Sequence, residues 1–121
     1  MRTLLLPLAA LALLLGGCYY DNEEELYPGI GDCDTSNVSY ANDVQPVLEN
    51  SCYHCHDARN HEANINLEGY DQVLIYVNNG RLLGSIRWDS GYSPMPQDAG
   101  KLSRCRIAQI EAWIDGGAPD N

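Results

Sequence analysis

Two cysteines and a histidine form the part of the sequence best suited to chemistry. Cys52, Cys55 and His56 make a C-x-x-C-H pattern. Side chains three residues apart lie on one face of a helical turn, so the two thiols would project together and the imidazole would follow directly. This pattern is typical of covalent haem attachment, in which the thiols add to the porphyrin vinyl groups and the histidine binds iron. We therefore predict one haem c at these three residues.

Two other chemistries use cysteine pairs of this spacing. A zinc site needs four Cys or His ligands, usually as two spaced pairs, and no second C-x-x-C or H-x3-H follows in this chain. Thioredoxin-like exchange places the C-x-x-C beside a βαβ unit, and the flanking sequence is not rich in strand signals. Haem is the preferred prediction, and zinc is the alternative that stays open.

A low-spin haem of this kind takes a second axial ligand. The chain has two methionines, and Met1 belongs to a predicted export segment. Met95 lies in the sequence Gly-Tyr-Ser-Pro-Met-Pro at 91–96, a loop whose prolines oppose helix formation. A single methionine is ordinarily core filler, but this loop position favours Met95 as the distal ligand. His54 and His61 are the competing ligands, and we expect both to be exposed to solvent.

Helices must position these residues, because apolar side chains recur at helical spacing and strand-like alternation is nearly absent. Asn42 or Asp43 is the expected cap of the first helix, and Ser103 that of the last. The predicted helices lie at 42–52, 71–79, 82–86 and 103–116. Their apolar faces contain Val44, Val47, Leu48, Val73, Leu74, Tyr76, Val77, Leu82, Leu83, Ile86, Ile107, Ile110, Trp113 and Ile114. The fold class expected from this pattern is all-α.

The N-terminal residues predict export. Arg2 precedes an apolar run from Leu4 to Leu15, which is too short to cross about 30 Å of hydrocarbon. The positive start, the short apolar run and the glycines that follow are typical of a secretory signal over 1–17. Acidic residues and breakers after it predict a flexible tether over 18–34, followed by one domain over 35–121.

The stretch Leu15-Gly16-Gly17-Cys18 resembles the lipobox of bacterial lipoproteins. The resemblance implies that Cys18 is the acylated lipid anchor, so that the odd number of cysteines becomes an even four. The acidic residues after Cys18 resemble the surface-export signal of lipoproteins of the Bacteroidota. They would equally serve to keep the tether solvated.

The other two cysteines, Cys33 and Cys105, lie just before the first helix and in the first turn of the last. Exported proteins usually oxidise such a remaining pair. We therefore predict a disulfide, which requires Cα atoms within about 7 Å and terminal helices that touch.

The charge is strongly acidic, with 17 Asp and Glu against 7 Lys and Arg and a formal net charge of −10. Loss of Arg2 with the signal segment would make it one unit more negative. This balance excludes nucleic acid as a partner, because binding depends on neutralising phosphates with basic side chains. It favours a redox protein partner with a basic docking patch.

Together these segments resemble a small class I cytochrome c. Residues 40–46, 91–96 and 107–114 resemble those of monohaem lipoprotein cytochromes of the Bacteroidota, and the resemblance covers about 35–121. It implies a small cytochrome c fold with crossing N- and C-terminal helices, haem between them, and His56 and Met95 on iron. One departure is the absence of Phe, so Tyr and Trp would have to line the haem pocket.

The function that this implies is electron transfer by a membrane-anchored carrier, not an enzyme, because two filled axial positions leave no site for substrate. We expect attachment to the outer rather than the inner membrane, with the cell surface left open. One alternative is a haem-based gas sensor or peroxidase-like enzyme in which Met95 leaves the iron. Another is a docking subunit of a larger surface redox complex.

Overall fold

The computed structural model describes residues 33–97 and 99–121 of the chain. Its elements are a π-helical turn Tyr40–Val44, α1 Gln45–Ser51, α2 Tyr53–His56, a 3-10 turn Glu62–Asn64, α3 Tyr70–Asn78, α4 Arg81–Arg87 and α5 Arg104–Asp115. The described residues contain no strand, which confirms the all-α class. None of the helices in this part of the chain is long and apolar enough to span a bilayer. The predicted signal segment 1–17, Cys18 and the tether as far as 32 lie outside the described residues.

The first helix begins earlier than predicted, and its cap differs. Ser39 is the N-cap residue, with its hydroxyl accepting the Asn42 N–H at 3.1 Å, while the Asp43 carboxylate accepts the Ser39 N–H at 2.7 Å. The prediction that Asn42 or Asp43 caps the helix was therefore wrong. The cause is the added π-helical turn, in which Gln45 donates to the Tyr40 carbonyl five residues back. Pro46 follows it in the first turn of α1, where its missing N–H is tolerated.

The core contains most of the apolar helix positions that the sequence predicted, together with Tyr40, Leu67 and Ala118, which it did not predict. Its buried members are Tyr40, Val44, Val47, Leu48, Leu67, Val73, Leu82, Ile86, Ile107, Ile110, Trp113 and Ala118. Other predicted core residues, including Leu74, Val77 and Ile114, are partly buried against this cluster. Trp113 on α5 and Leu48 on α1 are each 1% exposed, so the first and last helices contribute to a common core.

A tight turn joins α3 to α4, and α4 in turn packs on α5. Gly80 makes the turn with a φ of +75°, which glycine adopts without steric cost. Arg87 at the end of α4 forms an ion pair with Glu111 of α5. These contacts connect the middle of the chain to its closing helix.

The two ends of the described chain meet. The N–H groups of Tyr40 and Ala41, which have no helical partner, donate to the side-chain and main-chain oxygens of Asn121 at 2.8 and 2.9 Å. Cys33 and Cys105 lie with Cα atoms 5.4 Å apart and their sulfurs at disulfide distance. The Cα distance is within the predicted limit of about 7 Å. The π-helical turn Tyr40–Val44, the opening turn of the fold, contacts α5.

Candidate haem-attachment site

Cys52 lies at a break between α1 and α2, with φ −126° and ψ −40°. Its N–H donates to the Leu48 carbonyl at 2.8 Å, and its own carbonyl accepts the N–H groups of Cys55 and His56 at 3.1 and 3.0 Å. The hydrogen bonds thus continue through the break, and both thiols belong to one turn. Both side chains are half-buried and neither is part of a disulfide.

The Cys52 thiol is protonated at neutral pH, because burial raises its pKa to about 11. The nucleophile of thiol–disulfide exchange is the thiolate, and redox-active cysteines have lowered pKa values. A raised pKa is the opposite of what that chemistry requires. The raised pKa of Cys52 therefore gives no support to a dithiol redox centre.

The imidazole of His56 is buried and has a defined partner. Its Nδ1 lies 3.3 Å from the main-chain oxygen of Ile65, and a carbonyl oxygen can only accept. In this arrangement Nδ1 is the donor, so Nε2 is the ring nitrogen that could bind a metal. The His56 carbonyl also accepts the Leu67 N–H at 2.7 Å. A ring nitrogen hydrogen-bonded to a main-chain carbonyl is the usual arrangement of metal-bound histidine, so His56 fits the part of a proximal ligand.

The loop after α2 holds Ile65 near His56. The Ala58 N–H donates to the Glu68 carboxylate at 2.9 Å, which joins the two ends of the loop. The Asp57 carboxylate accepts the N–H of Asn60 at 2.5 Å and that of Arg59 at 2.8 Å, and these bonds lower the Asp57 pKa. The sequence did not point to Ile65, because every residue has a main-chain oxygen and the residue type does not show which of them will accept a hydrogen bond.

The two competing histidines lie at the surface, as the sequence predicted. His54 and His61 are both exposed. His61 Nδ1 lies 3.2 Å from the Ala58 main-chain oxygen, within its own loop. His61 is therefore already engaged locally by one of its ring nitrogens.

Met95 lies in a segment without helix, as predicted, and is half-buried. Its N–H donates to the Ser85 carbonyl at 3.1 Å, and its carbonyl accepts the Trp88 Nε1–H at 2.9 Å. Within the described ranges, no hydrogen bond or ion pair joins this loop to Cys52–His56. The structure thus attaches Met95 to α4, and binding of its sulfur to iron stays a prediction.

Two thiols and an imidazole are the donor set that covalent haem attachment uses. Among the residues described, no group of three or more His, Cys, Asp or Glu is placed to hold one metal ion. Two thiols for a porphyrin edge and a separate imidazole for its iron do not need to converge.

Two clefts lie away from this motif. One cleft of about 330 Å³ is lined by residues 35–38, the C-terminal end of α5 and residues that follow it. The other, of about 280 Å³, is lined by residues 68–72 and Asp120. Neither is lined by Cys52, Cys55, His56 or Met95. The fit of a haem therefore rests on the donor set and not on either cleft.

Comparisons of the chain with protein-family models, with curated proteins and with solved structures found no significant match.

Proposed function

We propose that the chain is a membrane-anchored monohaem c-type cytochrome that carries electrons. Haem c would be attached through Cys52 and Cys55, with His56 and Met95 as axial ligands. The observation that carries the proposal is the hydrogen bond from His56 Nδ1 to the Ile65 carbonyl, in a residue that directly follows a paired-thiol turn. When bound, the haem supplies a one-electron change at iron.

The residues of the chain have separate tasks in this proposal. Ile65 fixes the tautomer of His56 and the direction of its free nitrogen. Met95 supplies a thioether, which favours the reduced iron. With both axial positions filled by side chains, the iron has no place for a substrate, which is why we propose a carrier and not an enzyme.

The proposed fold is a small cytochrome c fold in which the opening and closing helices cross. Support comes from the ring centroids of Tyr40 and Trp113, which lie 5.5 Å apart between the opening turn and α5. The hydrogen bonds of Asn121 to the same opening turn add to it. These contacts hold the segment that leads to Cys52 against the last helix.

The proposed setting is an exported protein held at the outer membrane by acylated Cys18. A chain with a formal net charge of −10 attracts basic surfaces. The proposed partner is therefore a redox protein with a basic docking patch. The rate at which the two proteins associate should fall as ionic strength rises. Stopped-flow oxidation or reduction measures this rate. A rate independent of salt would contradict the proposal that charge guides the association.

The deciding experiment is an optical spectrum of the full chain, produced in a host that exports it and attaches haem c. Sharp α and β bands on reduction, with a weak sulfur-to-iron band in the oxidised state, are the expected result. The matched control is the double variant Cys52→Ala with Cys55→Ala, which should carry no covalent haem. A wild-type chain without haem from such a host would overturn the proposal, and carbon monoxide binding to the reduced protein at neutral pH would overturn the carrier function.

A further inference from the structure

Trp88 occupies an unusual position at the end of α4. Its φ of 62° and ψ of 39° lie in the left-handed region, which bulky side chains rarely adopt. Its side chain is also 44% exposed, although a large aromatic ring gains most when it is buried. The left-handed conformation closes the helix, because the Trp88 N–H donates to the Ser85 carbonyl at 3.2 Å. The exposed ring makes one further polar contact.

That contact is with Met95. The Trp88 Nε1–H donates to the Met95 main-chain oxygen at 2.9 Å, across seven residues of chain. The Met95 N–H donates to the Ser85 carbonyl at 3.1 Å. Both main-chain polar groups of Met95 are therefore held by the last turn of α4. Glycine would adopt the left-handed conformation of Trp88 more easily, but it has no side chain with which to reach Met95.

Two further contacts surround the indole and the loop. The Lys101 ammonium lies 5.7 Å from the centre of the Trp88 ring, on its face. On the other side of the loop, the Tyr92 ring covers Gly84 so closely that a Cβ at that position would come within 2.5 Å of it. The loop is thus packed on α4 both before and after Met95.

We propose that Trp88 is a positioning residue that holds Met95 at the iron. This inference rests on the proposed function. The indole N–H fixes the Met95 carbonyl, and with it the point from which the thioether extends. Without that bond Met95 spends more time away from the iron, so an external ligand competes with it more easily. The reduced state also loses part of the preference that the sulfur gives it.

The test compares two variants of the full chain loaded with haem. Trp88→Phe removes the N–H and keeps an aromatic ring under Lys101. Lys101→Gln is the matched control, because it removes the cation and keeps the N–H. Oxidised protein is titrated with imidazole, and loss of the sulfur-to-iron band reports displacement of Met95. Loss of one hydrogen bond predicts imidazole binding about fivefold tighter in Trp88→Phe, a lower midpoint potential, and little change in Lys101→Gln.

A second measurement does not need haem. The Met95 amide is hydrogen-bonded to Ser85, so in the unloaded full chain its hydrogen exchange should become faster in Trp88→Phe and stay unchanged in Lys101→Gln. Because Trp88 lies outside the core, Trp88→Phe should keep the wild-type circular dichroism. Trp88→His is a second variant that also offers a ring N–H. It should restore part of the wild-type resistance of Met95 to displacement by added imidazole.

The outcomes separate the two proposals. Equal imidazole affinity and equal exchange in wild type and Trp88→Phe would overturn the positioning role and leave the cytochrome proposal intact. Haem without a sulfur-to-iron band in the wild type would overturn Met95 as ligand, and the positioning role with it. A wild-type chain that takes up no haem would instead overturn the proposed function itself.

Discussion

The rings of Tyr40 and Tyr70 meet edge to face, with centroids 5.2 Å apart and planes at 76°. Their hydroxyl groups differ. Tyr70 donates to the Ala118 carbonyl at 2.7 Å, whereas the Tyr40 hydroxyl is buried beside the Tyr53 hydroxyl and makes no hydrogen bond of regular geometry in the described part of the chain. Two tyrosines in contact therefore make opposite contributions through the same chemical group.

Removing each hydroxyl should change stability in opposite directions. Tyr40→Phe removes an unpaired buried polar group and should raise the free energy of unfolding by about 1 kcal/mol. Tyr70→Phe removes a hydrogen bond and leaves the Ala118 carbonyl without it, so it should lower the same quantity by about 1 kcal/mol. Urea unfolding of the unloaded full chain measures both. Equal losses in the two variants would mean that Tyr40 does have a partner.

Alkaline unfolding should depend on Tyr40. Burial, with the neighbouring Tyr53 hydroxyl adding to it, raises the Tyr40 pKa from 10.0 to about 12. Because the folded state holds this proton more tightly, the stabilisation is complete below pH 10 and is lost as the pH rises from 10 towards 12. The urea midpoint of the wild type should therefore fall more steeply over this range than that of Tyr40→Phe. Parallel curves would contradict the assignment. Tyr53→Phe is the companion variant, since burial also raises the Tyr53 pKa.

His56→Ala should separate attachment of haem from its ligation. Covalent haem should persist through Cys52 and Cys55, while the low-spin spectrum should be lost and then restored by added imidazole. The controls are His54→Ala and His61→Ala, which alter exposed side chains and should leave the spectrum unchanged. Loss of the low-spin spectrum in His61→Ala would move the ligand role to that residue.

Breaking the Cys33–Cys105 pair should destabilise the fold without removing haem. A bond between residues 72 positions apart restricts the unfolded chain strongly, and its loss should lower the free energy of unfolding by roughly 4 kcal/mol. Cys33→Ser, Cys105→Ser and the double variant should lose about the same amount, because each breaks the same bond. Urea unfolding under non-reducing conditions gives the values. An unchanged midpoint would show that the thiols do not pair in solution.

The helices were predictable because their apolar faces are periodic. Val73 and Ile110, for example, were expected in the core from spacing alone, and they are 0% and 1% exposed. The start of the first helix was not predictable in the same way. Its π-helical turn and its Ser39 cap depend on main-chain geometry, for which Asn42 and Asp43 looked equally suitable.

The candidate site shows the same division. The residue types and spacing of Cys52, Cys55 and His56 predict haem attachment, and that role stays a prediction. The parts contributed by Ile65 and Trp88 do not follow from any motif. The proposed role of Ile65 depends on a main-chain oxygen, and that of Trp88 depends on a left-handed conformation that its residue type disfavours.

The bond between Cys33 and Cys105 also decides where a mechanical force would enter the domain. Tension applied to residues before Cys33 passes through the sulfurs to Cys105 in the first turn of α5. The chain between the two cysteines is bypassed and cannot be drawn out while the bond is intact. If the domain is held by its N-terminal residues as we propose, a pull between that anchor and the C-terminus would therefore not lengthen the segment that contains Cys52–His56 and the Met95 loop.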